Sequence, residues 1–280
     1  MPTNNTVAKQ QPHTDAHPEN LLKPLTVKQC TSNFLPQLSQ TVSEESWLSI
    51  YPIVSQLVKH FTQLPQPLLI CNARHWQAAT AVIAEATDDN YPQLALLDYD
   101  QQKLFGRLNL HAEHNIDFHQ GEIYNFNNGC LILHISPLLV NPGLWFLLKA
   151  FLISHKVPVT SAVNADKLKG QRPLKPSKEL NTKIILVANR YQLDELAQID
   201  PEYNQVGSLF TELSSEIKAT TENIQALHRY CQQLVKQRGL TKVSTDALAL
   251  LFHHLSNKCE HQQKILFSPE RIENLLRYAK

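Results

Sequence analysis

The candidate chemistry in this 280-residue chain sits at the ends of short apolar runs. Cys130-Leu131-Ile132-Leu133 is one such run, and it ends in His134 and Ile135. A site that hydrolyses a nucleotide places acidic residues at such a strand end, where they hold magnesium and aim a water. Histidine is a poor magnesium ligand, and isoleucine cannot act as a base. A second run, Leu68-Leu69-Ile70-Cys71, leads into Asn72-Ala73-Arg74-His75-Trp76, without glycine or lysine. Phosphate-cradling loops need glycine so that backbone amides can approach the ligand. The whole chain has only seven glycines, which counts against an ordinary nucleotide site.

The bulk properties bound what can surround these positions. A chain of this length buries one substantial core, or a core with a small satellite domain. Hydrophobic content of 42% with 18% charged residues suits a soluble globular protein. A formal net charge of +1 gives no global field toward nucleic acid or an anionic membrane. The five cysteines are scattered, and Cys71 and Cys130 interrupt apolar runs as small hydrophobes would. Free thiols in a reducing compartment are therefore expected, without a disulfide framework. The first twenty residues are polar, and no run approaches the roughly 18 apolar residues of a membrane span. The cytoplasm is the expected location.

Three regions follow from the patterning. Residues 1–42 read as a flexible N-terminal segment, broken by Pro24 and Pro36. From Ser43 a helical period puts Trp47, Ile50, Val54, Leu57, Val58 and Phe61 on one face. Pro52 lies near its start, and Pro65 and Pro67 end it. Strands are expected at Leu68–Cys71, Leu94–Leu97, Cys130–Leu133 and Lys183–Val187, with helices at His75–Ala86 and Gly143–Leu152 between them. Such alternation argues for a mainly parallel sheet covered on both faces, over residues 43–213. Beyond Ser214 only helices are expected: one ending at Gly239, one capped near Ser244, and one opened by Ser268-Pro269. Residues 214–280 thus read as a small all-α unit.

Several motifs in order give the chain a resemblance. They are Leu104-Phe105-Gly106-Arg107, Gly121, Asn127-Asn128-Gly129 before Cys130–Leu133, then Leu138-Leu139, Pro142, Trp145 and Leu148-Lys149. Lys183–Val187, Asp200-Pro201-Glu202 and Leu209-Phe210 follow. Over roughly residues 65–280 the chain resembles the AAA+ ATPase module of Lon-like ATP-dependent proteases, particularly those lacking the classical Lon N-terminal substrate-binding domain. The resemblance implies an α/β, P-loop-NTPase-like AAA+ core followed by a helical lid, with ATP and magnesium as the family's cofactors. Position by position, it puts Arg74 and Thr80 at the phosphate loop, Asn189 at the polar sensor, and Arg277, with Arg271, on the lid. These are the residues of a degenerate nucleotide site. Asn189 reads equally as a turn-forming residue at a strand end, and the lid arginines as solvated surface charges. No catalytic residue carries over: the strand-end acids are replaced by His134 and Ile135, no arginine lies between Asp200 and Ile217, and no Ser-Lys motif matches.

Two histidine clusters remain. His111, Glu113, His114 and His119 fall, by the resemblance, in an exposed connection and read as a solvated loop. His253 and His254 are adjacent on a helix, so they point about 100° apart, and only one of them could easily join Cys259 near His261. No metal is expected at either. The basic segment Lys167, Lys169, Arg172, Lys175 and Lys178 reads as a surface loop, or as a pore-side or partner-binding loop. It lacks the aromatic interleaving of a nucleic-acid site. The chain is accordingly expected to be a pseudo-ATPase scaffold or regulatory subunit linked to ATP-dependent proteolysis, partnered in a homo-oligomeric ring or with a Lon-type protease, and not with nucleic acid or membrane. The alternatives are an active ATP-driven substrate-handling subunit working with a separate Lon-type serine protease, and a truncated product without an independent role.

Overall fold

The computed structural model describes residues 50–110, 116–157, 179–259, 261 and 263–278. The N-terminal segment 1–42, the helix start at Ser43 with Trp47, the cluster at His111, Glu113 and His114, and the basic segment Lys167–Lys178 lie outside the described residues.

Three of the five strands of the main sheet are buried for the reason their sequences suggest. Strands β1 (Leu68–Ala73), β2 (Gln93–Leu96), β5 (Cys130–His134), β6 (Lys183–Ala188) and β7 (Ser208–Leu213) form one parallel sheet in the order β2-β5-β6-β1-β7. Successive side chains of a strand face opposite ways. Leu69, Cys71, Ile132, Ile185 and Val187 therefore enter one apolar core, while Leu68, Ile70, Leu131, Leu133, Ile184 and Leu186 enter another. Both faces are dry, which is why these strands read as continuous apolar runs.

Helices α1 (Pro52–Gln63) and α2 (Trp76–Ala86) cover the first face. Helix α1 begins with Pro52 in its first turn, where a missing N–H is harmless. No glycine ends it. Instead the ammonium of the buried Lys183, at the start of β6, donates to the carbonyls of Phe61 (2.8 Å) and Leu64 and lies 4.9 Å from the Phe61 ring. A cation at a helix C-terminus satisfies carbonyls that have no partner within the helix and meets the negative end of its dipole.

The other face holds short helix α3 (Gln101–Phe105), hairpin β3 (Arg107–Leu110) and β4 (Ile116–His119), α4 (Glu122–Asn125), α5 (Ser136–Val140), α6 (Pro142–Ser154) and α7 (Arg190–Ile199). The β3–β4 hairpin was not expected from the sequence. Strand β7 was also missed: its residues alternate between partly exposed and buried, with Phe210 55% exposed, because it is the sheet's outer strand.

The C-terminal region is helical as expected, with one correction. Helices α8 (Thr221–Arg238), α9 (Thr245–Lys258) and α10 (Pro269–Tyr278) are joined by an antiparallel pair, β8 (Glu216–Lys218) and β9 (Lys264–Leu266). Each strand is three residues long, too short to leave a period in the sequence. Gly239 ends α8 at φ 62°, and Ser244 Oγ accepts the Ala247 N–H at the start of α9. The whole is a P-loop-NTPase-like AAA+ core followed by a helical lid. No helix among the described residues is long and apolar enough to cross a membrane.

Candidate functional site

In open parallel sheets ligands bind beyond the carboxyl ends of the strands, where the strand order reverses. Here that point flanks β1, because the chain leaves β1 toward β2 and returns on its other side as β7. Four connections meet at this edge: Arg74-His75 after β1, Ile135 after β5, Asn189 after β6, and Ser214-Ser215 after β7.

The β1–α2 connection is two residues long, Arg74 and His75. A G-x-x-x-x-G-K-[ST] loop uses about eight residues to wrap backbone amides around phosphates. Helix α2 then opens with Trp76, whose indole meets the His134 ring edge-on, with centroids 5.4 Å apart and planes at 88°. The contact spans the gap between β1's helix and the end of β5. His134 is half-buried, and burial holds its pKa below the ordinary value. Its Nδ1 accepts the Ser136 N–H at 3.3 Å, which leaves the proton of the neutral ring on Nε2. The Tyr99 hydroxyl donates to the His134 carbonyl at 2.7 Å, fixing the backbone there. Ile135 is fully buried in the second core, turned away from the edge. The strand end thus offers a neutral imidazole and a hydrocarbon.

Arg74 is exposed beside His75. The Thr80 hydroxyl turns back to its own helix, donating to the carbonyls of Trp76 and Gln77 at 3.1 Å each. Asn189 is the N-cap of α7: its Oδ1 accepts the Gln192 N–H at 3.0 Å, and Gln192 Oε1 accepts the Asn189 N–H at 2.9 Å. Gln192 Nε2 also donates to Ser136 Oγ at 3.2 Å, so this capping box ties the ends of β6 and β5 together. Arg277 pairs with Glu273 one turn away, with an N–H to Oε1 distance of 2.6 Å. It lies seven residues, about 10 Å of helix, beyond Glu270, the α10 residue whose charge acts on His75. The strand ends bring Arg74 and Asn189 to one edge, while Thr80 and Arg277 are engaged elsewhere. Replacing Asn189 by alanine is expected to lower unfolding stability by about 1 kcal/mol, as loss of an N-cap does, in urea melts followed by circular dichroism.

On the β7 side of β1 the crevice is lined by Tyr51, Arg74, His75, Ala78, Ser214 and Phe267. The Tyr51 ring is 8% exposed and its hydroxyl donates to the Ser214 carbonyl at 2.8 Å. What remains is a cavity of about 10 Å³, room for about one water, against the hundreds of Å³ of a typical ligand pocket. Tyr51 and Tyr99 were not singled out in the sequence, because a tyrosine in an apolar pattern reads simply as core.

Among the described residues, no group of three or more His, Cys, Asp or Glu side chains is placed to hold a metal. His253 and His254 are exposed, and His261 Nδ1 accepts the Gln263 N–H at 3.1 Å. Cys71, Cys130 and Cys231 are buried free thiols, and Cys259 is partly buried and unpaired with another cysteine.

Residues 97–213 match the LonB-like AAA domain family. The matched stretch runs from just after β2 to the end of β7 and so contains His134, Ile135 and Asn189. The "Putative Lon protease homolog" of Haemophilus influenzae is 29% identical over 210 residues, covering 70% of this chain and 33% of that protein. Its namesake in Escherichia coli K12 is 24% identical over 197 residues, covering 68% and 32%. The chain therefore spans about a third of the length of these curated relatives. Among solved structures, NtrX from Brucella abortus is similar with a TM-score of 0.53 at 12% identity, over 87% of this chain and 52% of that one. NtrX in complex with ADP gives 0.51 at 12% identity, over 86% and 51%. At such identity the likeness is one of fold: an AAA+ architecture, linked to Lon-type proteases at low sequence identity.

Proposed function

We propose that this chain is a Lon-type AAA+ module without nucleotide chemistry, acting as a scaffold or regulatory subunit in ATP-dependent proteolysis. The observation that carries the reading is the closed edge at β1 and β5. A two-residue connection stands where a phosphate loop would wrap, and the Trp76–His134 contact crosses the gap where phosphate and magnesium would lie. A neutral imidazole supplies no negative charge to a hard cation. The buried Ile135 supplies no base to a water.

ATP and magnesium, the family's cofactors, fit these residues poorly. Arg74 offers one exposed charge, but a cradle of converging amides is the part that makes a phosphate site. Protein partners, either further copies in a ring or a Lon-type protease in the cytoplasm, are the remaining role for a preserved scaffold. The names of the Lon homologs support that setting.

Sedimentation velocity of the full chain, with and without millimolar Mg-ATP, tests the reading alongside a phosphate-release assay. The expected result is one nucleotide-independent distribution and no release above blank. Assembly that appears only with Mg-ATP, or steady turnover, would replace this reading with that of an active motor subunit.

A further inference from the structure

We propose that the helical lid is locked to the α/β layer by an aromatic seam and does not move as a separate body. Three aromatic rings build it. Tyr51, the residue before α1, sits 6.2 Å from Phe267, centroid to centroid, with planes at 60°. Phe267, just after β9, sits 5.6 Å from Tyr230 of α8, at 73°. Phe267 is 1% exposed, so the seam is dry.

The joint between sheet and lid is held from both sides. It is the two-residue stretch Ser214-Ser215 between β7 and β8, where a hinge would have to turn. The Tyr51 hydroxyl donates to the Ser214 carbonyl at 2.8 Å, and the Phe267 N–H donates to the Ser215 carbonyl at 2.6 Å. One contact comes from the N-terminal helix and the other from the lid itself. Hinges work by absorbing backbone rotation at a few residues, and rotation here would break both hydrogen bonds and open the seam.

The packing agrees. Ile224, Leu227, Phe252 and Ile272 of the lid belong to the same apolar core as Val58, Leu69 and Val82 of the α/β layer. A lid that swings needs its own core and a wet interface; this one shares a core. The seam borders the β1–α2 connection, since Tyr51, Ser214 and Phe267 line one crevice with Arg74 and His75, but its ring contacts and its two hydrogen bonds to the joint are made among Tyr51, Ser214, Ser215, Tyr230 and Phe267.

Hydrogen exchange by mass spectrometry on the full chain tests the lock. In the wild type, amides of α8, α9 and α10 should share the protection of β6 and keep it in millimolar Mg-ATP. Two conservative variants keep the apolar bulk: Tyr51→Phe removes the hydrogen bond to Ser214, and Phe267→Leu removes both ring contacts. Combined, they should let α8–α10 exchange on the order of tenfold faster than β6. Helices that already exchange apart from β6 in the wild type, or that change protection with Mg-ATP, would overturn the lock. So would a double variant whose helices stay tied to the sheet. A nucleotide effect confined to the β1–α2 connection would contradict the proposed function while leaving the lock standing.

Discussion

Replacement of Asp200 by alanine is expected to destabilise the fold by about 3 kcal/mol, the low end of the cost of breaking a buried ion pair, because the Lys149 side of this pair is only part-buried. The carboxylate is 6% exposed, in the turn after α7. Its Oδ2 accepts the indole N–H of the fully buried Trp145 at 2.8 Å and the ammonium of Lys149 at 2.6 Å, both from α6. Oδ1 accepts the Glu202 N–H at 3.1 Å. Alanine leaves the buried indole donor unsatisfied and the ammonium, whose side chain is only 17% exposed, without its partner. Urea melts at neutral pH should show a lower midpoint with an unchanged slope.

The same network gives a pH dependence. Burial alone would raise the Asp200 pKa, but the bonds from Lys149, Trp145 and the Glu202 amide hold it below its ordinary value of 3.8. The group releases its proton more readily folded than unfolded, so its contribution is fully present above the unfolded value. It is lost as pH falls from there through the folded value. The stability gap between wild type and Asp200→Asn should therefore narrow on acidification below about pH 4.

Gly106→Ala is the second substitution with a large expected effect, a loss of about 3 kcal/mol or more. Gly106 closes α3 at φ 87° and ψ −179°, a region essentially restricted to glycine. An added Cβ would overlap the His119 carbonyl oxygen and sit 2.9 Å from the Gly121 nitrogen. Backbone strain of about 1–3 kcal/mol adds to an overpacking term of similar size, since neither obstacle is a flexible side chain. Thermal melts should fall by about 6 °C or more, with Gly143→Ala, which meets only the Asn141 side chain at 3.2 Å, as the mild control.

These two sites explain what the sequence made legible. Phe105-Gly106, Gly121, Asn127-Asn128-Gly129, Trp145, Lys149 and Asp200 carried the resemblance, and every one of them is architectural. Gly106 and Gly121 pack backbone against backbone at the base of the β3–β4 hairpin. Asn128 takes φ 63° and donates its N–H to the Asn181 carbonyl, turning the chain into β5. Trp145, Lys149 and Asp200 fasten α6 to the turn after α7. Such positions are readable because a fixed backbone geometry or a buried donor admits few residue types.

The edge itself was legible only as what it lacks. His134, Ile135 and the glycine-free Arg74-His75-Trp76 stretch were visible as a mismatch, but nothing in their spacing said that Trp76 and His134 would touch. That contact joins residues 58 apart in sequence, and no local period encodes it. Lys183 was hidden for a related reason: a lysine opening an apolar strand reads as a strand boundary, and its role as a cap for α1 depends on where that helix ends in space. Tyr51 was hidden because its hydroxyl partner is 163 residues away.

Calorimetric titration of Mg-ATP, and separately ADP, into the folded full chain decides whether the strand edge takes nucleotide, as the proposed function says it does not. No saturable heat up to millimolar nucleotide is expected from wild type, and none from Asn189→Ala, whose defect should be confined to stability. Micromolar, saturable binding that weakens in Asn189→Ala would contradict the account, because it would mean that the edge of β1, β5 and β6 opens to admit a phosphate after all.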